Sequence, residues 1–289
     1  MNENYIYTSM ALKLHAFGLE YLHESYCVDE MLYEKLMTHF KEKKEPTDLL
    51  IKTLKQGMLF HLGLWLYNLY VSDKEYLLSL DAEKKIIFFE DLHEMLLKYI
   101  EDIDNSGLKS LREKIKFLKD TYEDDSDDYF YSRDCENDVV KFHQEFIQFY
   151  KSELSSLSKI YAINYSQRVF HDRQLCEFIA NIVVEICSSF PEDTLQKPIK
   201  RKTWPEWAKN AISARDRGKC STCGTDLVLE LDGNKNIDHI IPLAKGGNND
   251  LVNLQLLCAT CNNKKRDSII AVKSSIPSYI QIIKKTPNK

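Results

Sequence analysis

Apolar residues in the first two-thirds of the chain recur with helical spacing. Phe89, Leu92, Leu96, Tyr99 and Ile103 follow the i, i+3, i+4 rule, and Glu90, Asp91, Glu94 and Lys98 fall elsewhere on the wheel. Val139, Phe142, Phe146, Phe149 or Tyr150, and Leu157 repeat the pattern. The spacing predicts helices near residues 8–26, 28–42, 47–72, 74–104, 108–122, 136–162 and 171–189. Residues 1–190 hold only four glycines and one proline, so little punctuates these runs. The most apolar stretch, Met58 to Val71, contains His61, Tyr67 and Asn68. It is too short and too polar to span a bilayer and reads as a buried helix. The acidic run Glu123-Asp124-Asp125-Ser126-Asp127-Asp128 lacks calcium-loop spacing and reads as a solvated loop between helices.

The pattern changes after residue 190. Pro191-Glu192-Asp193, Pro198, the basic cluster Lys200, Arg201 and Lys202, and then Pro205 mark a linker over 191–203. A short helix is expected from Trp204 to Arg217, with Pro205 in its first turn and Gly218 ending it. Asp226–Leu231 and Ile237–Ile241 read as two strands joined by Asp232-Gly233-Asn234-Lys235-Asn236. Gly246-Gly247-Asn248-Asn249 reads as a loop. A last helix should run from near Thr260 to about Val272. The expected class is α+β: a large all-α domain over 1–190, the linker, and a small second domain over 204–289.

Net charge of the whole chain is −5, which alone argues against a polyanionic partner. The average hides an asymmetry. Residues 1–196 carry 22 Lys and Arg against 36 Asp and Glu, a net of −14, whereas residues 197–289 carry 17 against 8, a net of +9. A polyanion would therefore dock at the C-terminal end. Met1 to Thr8 lacks the basic patch and apolar run of an export signal, so a soluble, cytoplasmic protein is expected.

Of eight cysteines, Cys27, Cys135, Cys176 and Cys187 are scattered and read as buried or inert thiols. The others form two pairs, Cys220-Ser-Thr-Cys223 and Cys258-Ala-Thr-Cys261. Each C-x-x-C turn can present two sulfurs to one ion, so the pairs predict a zinc site. Four thiolates leave no open position, which makes the zinc structural. The 34 intervening residues contain the predicted β-hairpin, which the zinc should clamp at its base.

Between the knuckles lies Asp238-His239-Ile240-Ile241-Pro242, followed by Asn253, and Asn262 comes directly after the last cysteine. A lone histidine in an apolar strand is usually structural. His239 differs because a carboxylate and two amides share its zinc-clamped unit. Taken in order, Arg215-Asp216-Arg217-Gly218-Lys219-Cys220-Ser-Thr-Cys223-Gly224, Ile237–Pro242, Lys245-Gly246-Gly247 and Asn253–Asn262 closely resemble the HNH endonuclease family. The resemblance covers roughly residues 204–270 and implies a ββα-metal fold. The third family position is often His, and this chain carries Asn262, a familiar variant that keeps an oxygen ligand.

That resemblance implies a metal-dependent endonuclease acting on DNA. Neutral imidazole is matched to accept a proton near pH 7, so His239 is expected to be the general base. Asp238 and Asn262 offer oxygen ligands to one Mg²⁺ or Mn²⁺. Asn253 is expected to hold the loop and orient the base. Successive strand residues face opposite ways, so Asp238 and His239 share a site only if the strand ends or bends there. Arg215, Arg217, Lys264, Lys265 and Arg266 are candidates for phosphate contacts. The helical domain is read as a sensor of a ligand or regulatory protein, or an oligomerisation element. By analogy of build, the whole resembles bacterial restriction or antiviral defence effectors. A non-catalytic zinc-stabilised DNA-binding module and an RNA-cleaving enzyme are the competing readings.

Overall fold

Aspartates punctuate the helical region at the places where the hydrophobic period alone would run on. A computed structural model describes residues 51–100, 103–123, 133–188, 199–228 and 234–270. In it the expected helix over 74–104 is two helices. The Asp73 carboxylate accepts the N–H groups of Glu75 and Tyr76 and starts α2 (Lys74–Ser79), after α1 (Met58–Ser72). Asp81 accepts the N–H of Lys84 and starts α3 (Ala82–Tyr99). A capping aspartate satisfies N–H groups that have no partner within the helix. Two such caps eight residues apart divide one period into two elements. The expected helix over 136–162 is also broken, at Tyr150, between α5 (Arg133–Phe149) and α6 (Lys151–Phe170). Between these pairs lies α4 (Asn105–Glu123). The helices expected over 8–26 and 28–42, and the loop expected after Glu123, lie outside the described residues.

Packing divides the described residues into two compact units. The first comprises Leu59–Gln167. Its core is the face that the period marks: Phe89, Leu92 and Leu96 of α3, with Val139, Phe146, Tyr150 and Leu157 of the following helices. Asp91, which the wheel places outward, is buried. The His143 ring sits among Phe88 and Phe89 and bonds the Val71 carbonyl at 2.8 Å, and burial holds its pKa below the ordinary imidazole value. Among the described residues no helix is long and apolar enough to cross a membrane.

The second unit comprises residues 51–58 and everything from Arg168 onward that is described. Its elements are α7 (Arg173–Ser188), α8 (Glu206–Arg215), β1 (Lys235–His239), β2 (Leu254–Cys258) and α9 (Ala259–Lys265). Single 3₁₀ turns at Leu243–Lys245 and Leu251–Asn253 lie between the strands. The strands pair antiparallel, with His239 opposite Leu254 and Asp238 opposite Gln255. The division by packing thus falls at the last turn of α6, ahead of the 191–203 linker. Residues 191–198 of that linker lie outside the described residues.

Two strand and helix expectations are corrected. Among the described residues the partner of β1 is Leu254–Cys258, and residues 229–231 of the expected strand Asp226–Leu231 lie outside the described residues. Asp226 instead makes an isolated bridge to Lys219 around the first cysteine knuckle, and Leu227 donates to the Gly218 carbonyl. The last helix stops at Lys265, because Arg266 turns to φ 47°. Pro205 stands at the N-cap of α8, just ahead of its first turn.

A buried charge cluster ties the second unit together. Asp216 Oδ1 accepts Nε–H from Arg173 and from Arg215, each at 2.8 Å, and Oδ2 accepts the backbone N–H of Leu256 at 2.8 Å. Arg215 also donates to the Leu254 carbonyl at 2.6 Å and lies 4.9 Å from the Phe170 ring centroid. One carboxylate thereby joins α7, α8 and β2. Removing it would leave two guanidinium groups buried without a counter-ion. Asp216→Ala is expected to destabilise the second unit by about 3–5 kcal/mol, read by urea unfolding. A loss under about 1 kcal/mol would show that the cluster is not structural.

Candidate functional site

The two cysteine turns meet at one point. The first follows α8, where Gly224 donates to the Cys220 carbonyl at 2.9 Å and Cys220 donates to Thr225 at 2.9 Å. Ser221 fastens this turn to β2 through Leu256 and Gln255, with Oγ 2.9 Å from Gln255 Oε1. The second turn is the joint of β2 and α9, where Cys258 caps the helix through the Cys261 N–H. The four Sγ atoms of Cys220, Cys223, Cys258 and Cys261 lie within 4.8 Å of one another, and Cys223 and Cys258 are 3.9 Å apart. Zinc–sulfur bonds of ~2.3 Å in a tetrahedron require sulfurs about 3.8 Å apart, so the cluster fits zinc. Hydrogen bonds from Thr225 hold the Cys223 thiol down at about 6, whereas burial and the neighbouring sulfurs push Cys261 up to about 12. A bound ion would hold all four as thiolates. Cys176, by contrast, is a buried thiol with its pKa pushed up to about 12 by burial.

Next to this clamp the strand β1 ends in Asp238 and His239. Asp238 turns toward α9, where Lys265 Nζ stands 3.1 Å from Oδ2, and its Oδ1 accepts from Arg201. The His239 ring is buried, packs edge-on against Trp204 at 5.3 Å, and has Nε2 3.0 Å from Asn249 Oδ1. Burial lowers the pKa of His239, the Asn249 bond opposes that shift, and the charges of Arg201, Asp238 and Lys265 all reach the ring. The base candidate is therefore neutral at neutral pH. Asn262 lies in α9 one helical turn before Lys265. That spacing puts it on the same face of the helix as Lys265.

Asn253 is fully buried and braces the connection between the strands. Its Oδ1 accepts the Ile241 N–H at 2.8 Å, and its Nδ2 donates to the carbonyls of Ile241 at 3.0 Å and Asn248 at 2.9 Å. Its own carbonyl accepts the Ile240 N–H. Gly247 lets the loop close against this amide: a Cβ there would lie 1.9 Å from the Ile241 oxygen. Asn253 thus bonds the loop at both of its ends. The direct bond to the His239 ring comes from Asn249 instead, a residue that sequence reasoning left in a generic loop.

The five basic candidates do not behave alike. Arg217, Lys264 and Arg266 are exposed. Arg215 is 2% exposed within the Asp216 cluster and Lys265 is 1% exposed on Asp238, so neither is a surface phosphate contact. The sequence-level error has one cause: a cation's charge is visible in the sequence and its buried counter-ion is not. Arg201, which the sequence places only in a linker, is an exposed cation beside the site.

Residues 220–268 match the family model described as HNH endonuclease. The match takes in both cysteine turns, β1, β2 and α9, and no family model matches the N-terminal helical region. Comparison with curated proteins and with solved structures gives no match.

The sulfur geometry generates a direct test. Metal analysis of the purified chain is expected to find about one zinc per molecule, and Cys223→Ser to lose it. Protein prepared without chelator and containing no zinc would refute the assignment.

Proposed function

We propose that this protein is a metal-dependent HNH endonuclease that hydrolyses phosphodiester bonds in DNA. The observation that carries the reading is the setting of His239: a buried imidazole at the end of β1, adjacent to Asp238 and to the charges of Lys265 and Arg201, with burial lowering its pKa. Together with the family match over 220–268, this supports reading His239 as a base beside a cation site.

In this reading His239 accepts a proton from water as the water oxygen attacks phosphorus. The bond to the 3′-oxygen breaks, and that oxygen takes a proton from solvent. Asp238 and Asn262 would hold one Mg²⁺ or Mn²⁺, whose positive charge stabilises the developing negative charge on the phosphate and leaving oxygen. The donor set suits a hard cation, but Asp238 already has two basic partners. Arg201, with its side chain 57% exposed, is the exchangeable one, and Lys265 stays in place. Asn253 keeps the loop after β1 in register with the site. Exposed Arg217, Lys264 and Arg266 would hold flanking phosphates without reading sequence. The helical unit would sense a trigger or a partner, as in a restriction or defence effector.

One observation favours a second reading, a zinc-stabilised module that binds DNA without cutting it. Both carboxylate oxygens of Asp238 are neutralised by basic side chains. Plasmid and RNA cleavage assays with Mg²⁺, Mn²⁺ or chelator separate these readings and define the polymer.

His239→Ala is expected to keep the zinc and DNA binding while cleavage falls about 10²- to 10⁴-fold. Asp238→Asn is the appropriate metal-site variant, because truncation to Ala would leave Lys265 buried without its partner. It and Asn262→Ala should regain rate as metal concentration rises. The base works only when unprotonated, and burial lowers its pKa from the ordinary 6.5. The acid limb of kcat/KM should therefore fall below that value. Wild-type cleavage by His239→Ala would exclude this mechanism.

A further inference from the structure

The His239 ring has one hydrogen-bond partner whose orientation is determined independently of the ring. Asn249 is fully buried in the loop between the strands. Its Nδ2 donates to two backbone carbonyls, Ile51 and Lys200, each at 2.9 Å. Its Oδ1 faces His239 Nε2 at 3.0 Å. Rotating the amide by half a turn would set its oxygen against two carbonyl oxygens and lose both bonds, at about 1–3 kcal/mol for each buried group left unpaired. The backbone of the loop is pinned as well. Thr53 Oγ1 donates to the Asn249 carbonyl at 2.9 Å, and the Asp250 carboxylate accepts the N–H of Met58 at 2.9 Å. Asn249 can neither turn nor withdraw.

An amide oxygen only accepts, so the nitrogen facing it must carry a proton. We infer that Asn249 is a positioning residue: it holds His239 as the Nε2–H tautomer and so makes Nδ1 the nitrogen that takes the proton from water. This rests on the reading of His239 as the base. Its structural half, the tautomer, does not.

Residue type and spacing do not mark this role, since Asn248 and Asn249 sit side by side in a glycine-rich loop. The fold separates them. Asn248 Oδ1 accepts the Asp250 N–H within the loop, while Asn249 turns to the ring.

The test begins with the unmodified, zinc-loaded full chain. With ¹⁵N-labelled histidine, and the His239 signal identified by its loss in His239→Gln, long-range ¹H–¹⁵N spectra at neutral pH should show a protonated Nε2 and an unprotonated Nδ1. Asn249→Ala should abolish that preference. It should also lower kcat on plasmid by on the order of 10- to 100-fold, the range for losing a group that orients a functional histidine, with KM and zinc content unchanged. A protonated Nδ1 in the wild-type chain would overturn the inference, as would an Asn249→Ala protein that retains both the tautomer and the rate. If His239→Ala still cuts at the wild-type rate while the wild-type tautomer is as stated, the base assignment falls and the Asn249–His239 orientation survives.

Discussion

Three donors from three elements converge on the carboxylate of Asp216, and the second unit is organised around that point. A charge with no access to solvent needs its neutralising partners in fixed places. Arg173 must then come from α7, Arg215 from the end of α8, and the Leu256 amide from the middle of β2. The consequence for the site is geometric. β2 is held against α8, the first cysteine turn is held between them by Ser221, and β1 pairs to β2 with Asp238 and His239 at its end. The cysteine cluster closes a frame whose other corner is ionic.

This explains where packing divides the chain. By its period, the helix over 171–189 is one more member of an N-terminal bundle. Its first residue contributes a guanidinium to Asp216, and its far end reaches the loop of the site, where Val184 lies against Gly246. Hydrophobic spacing tells which face of a helix is buried but not against what. Arg173 is the telling residue, and nothing in its sequence neighbourhood distinguishes it from a solvated arginine.

The candidate site was legible in part for the same kind of reason. The cysteine turns, Asp238, His239 and Asn253 carry their chemistry in residue type and spacing, and the structure brings them into one unit. The pairing of β1 with Leu254–Cys258 was not legible because it closes across fourteen intervening residues, whereas the turn formers beside Asp226–Leu231 are a local signal. Arg215 and Lys265 were misread because burial by pairing is a long-range property. Asn249 was missed because its value lies in what its amide faces.

The bonds from Ile51, Thr53 and Met58 to the Asn249–Asp250 loop close separations of 192 to 198 residues along the chain. Closing so long a loop is slow relative to local folding, and it has an absolute earliest time. On a ribosome extending at ~5–20 residues per second, about 10–40 s elapse between the synthesis of Ile51 and that of its amide partner. The loop that faces His239 can assemble only after residues 249 and 250 have been made. A nascent chain interrupted before residue 249 carries the imidazole without its acceptor, so the order of synthesis itself keeps incomplete copies of this chain from having a finished site.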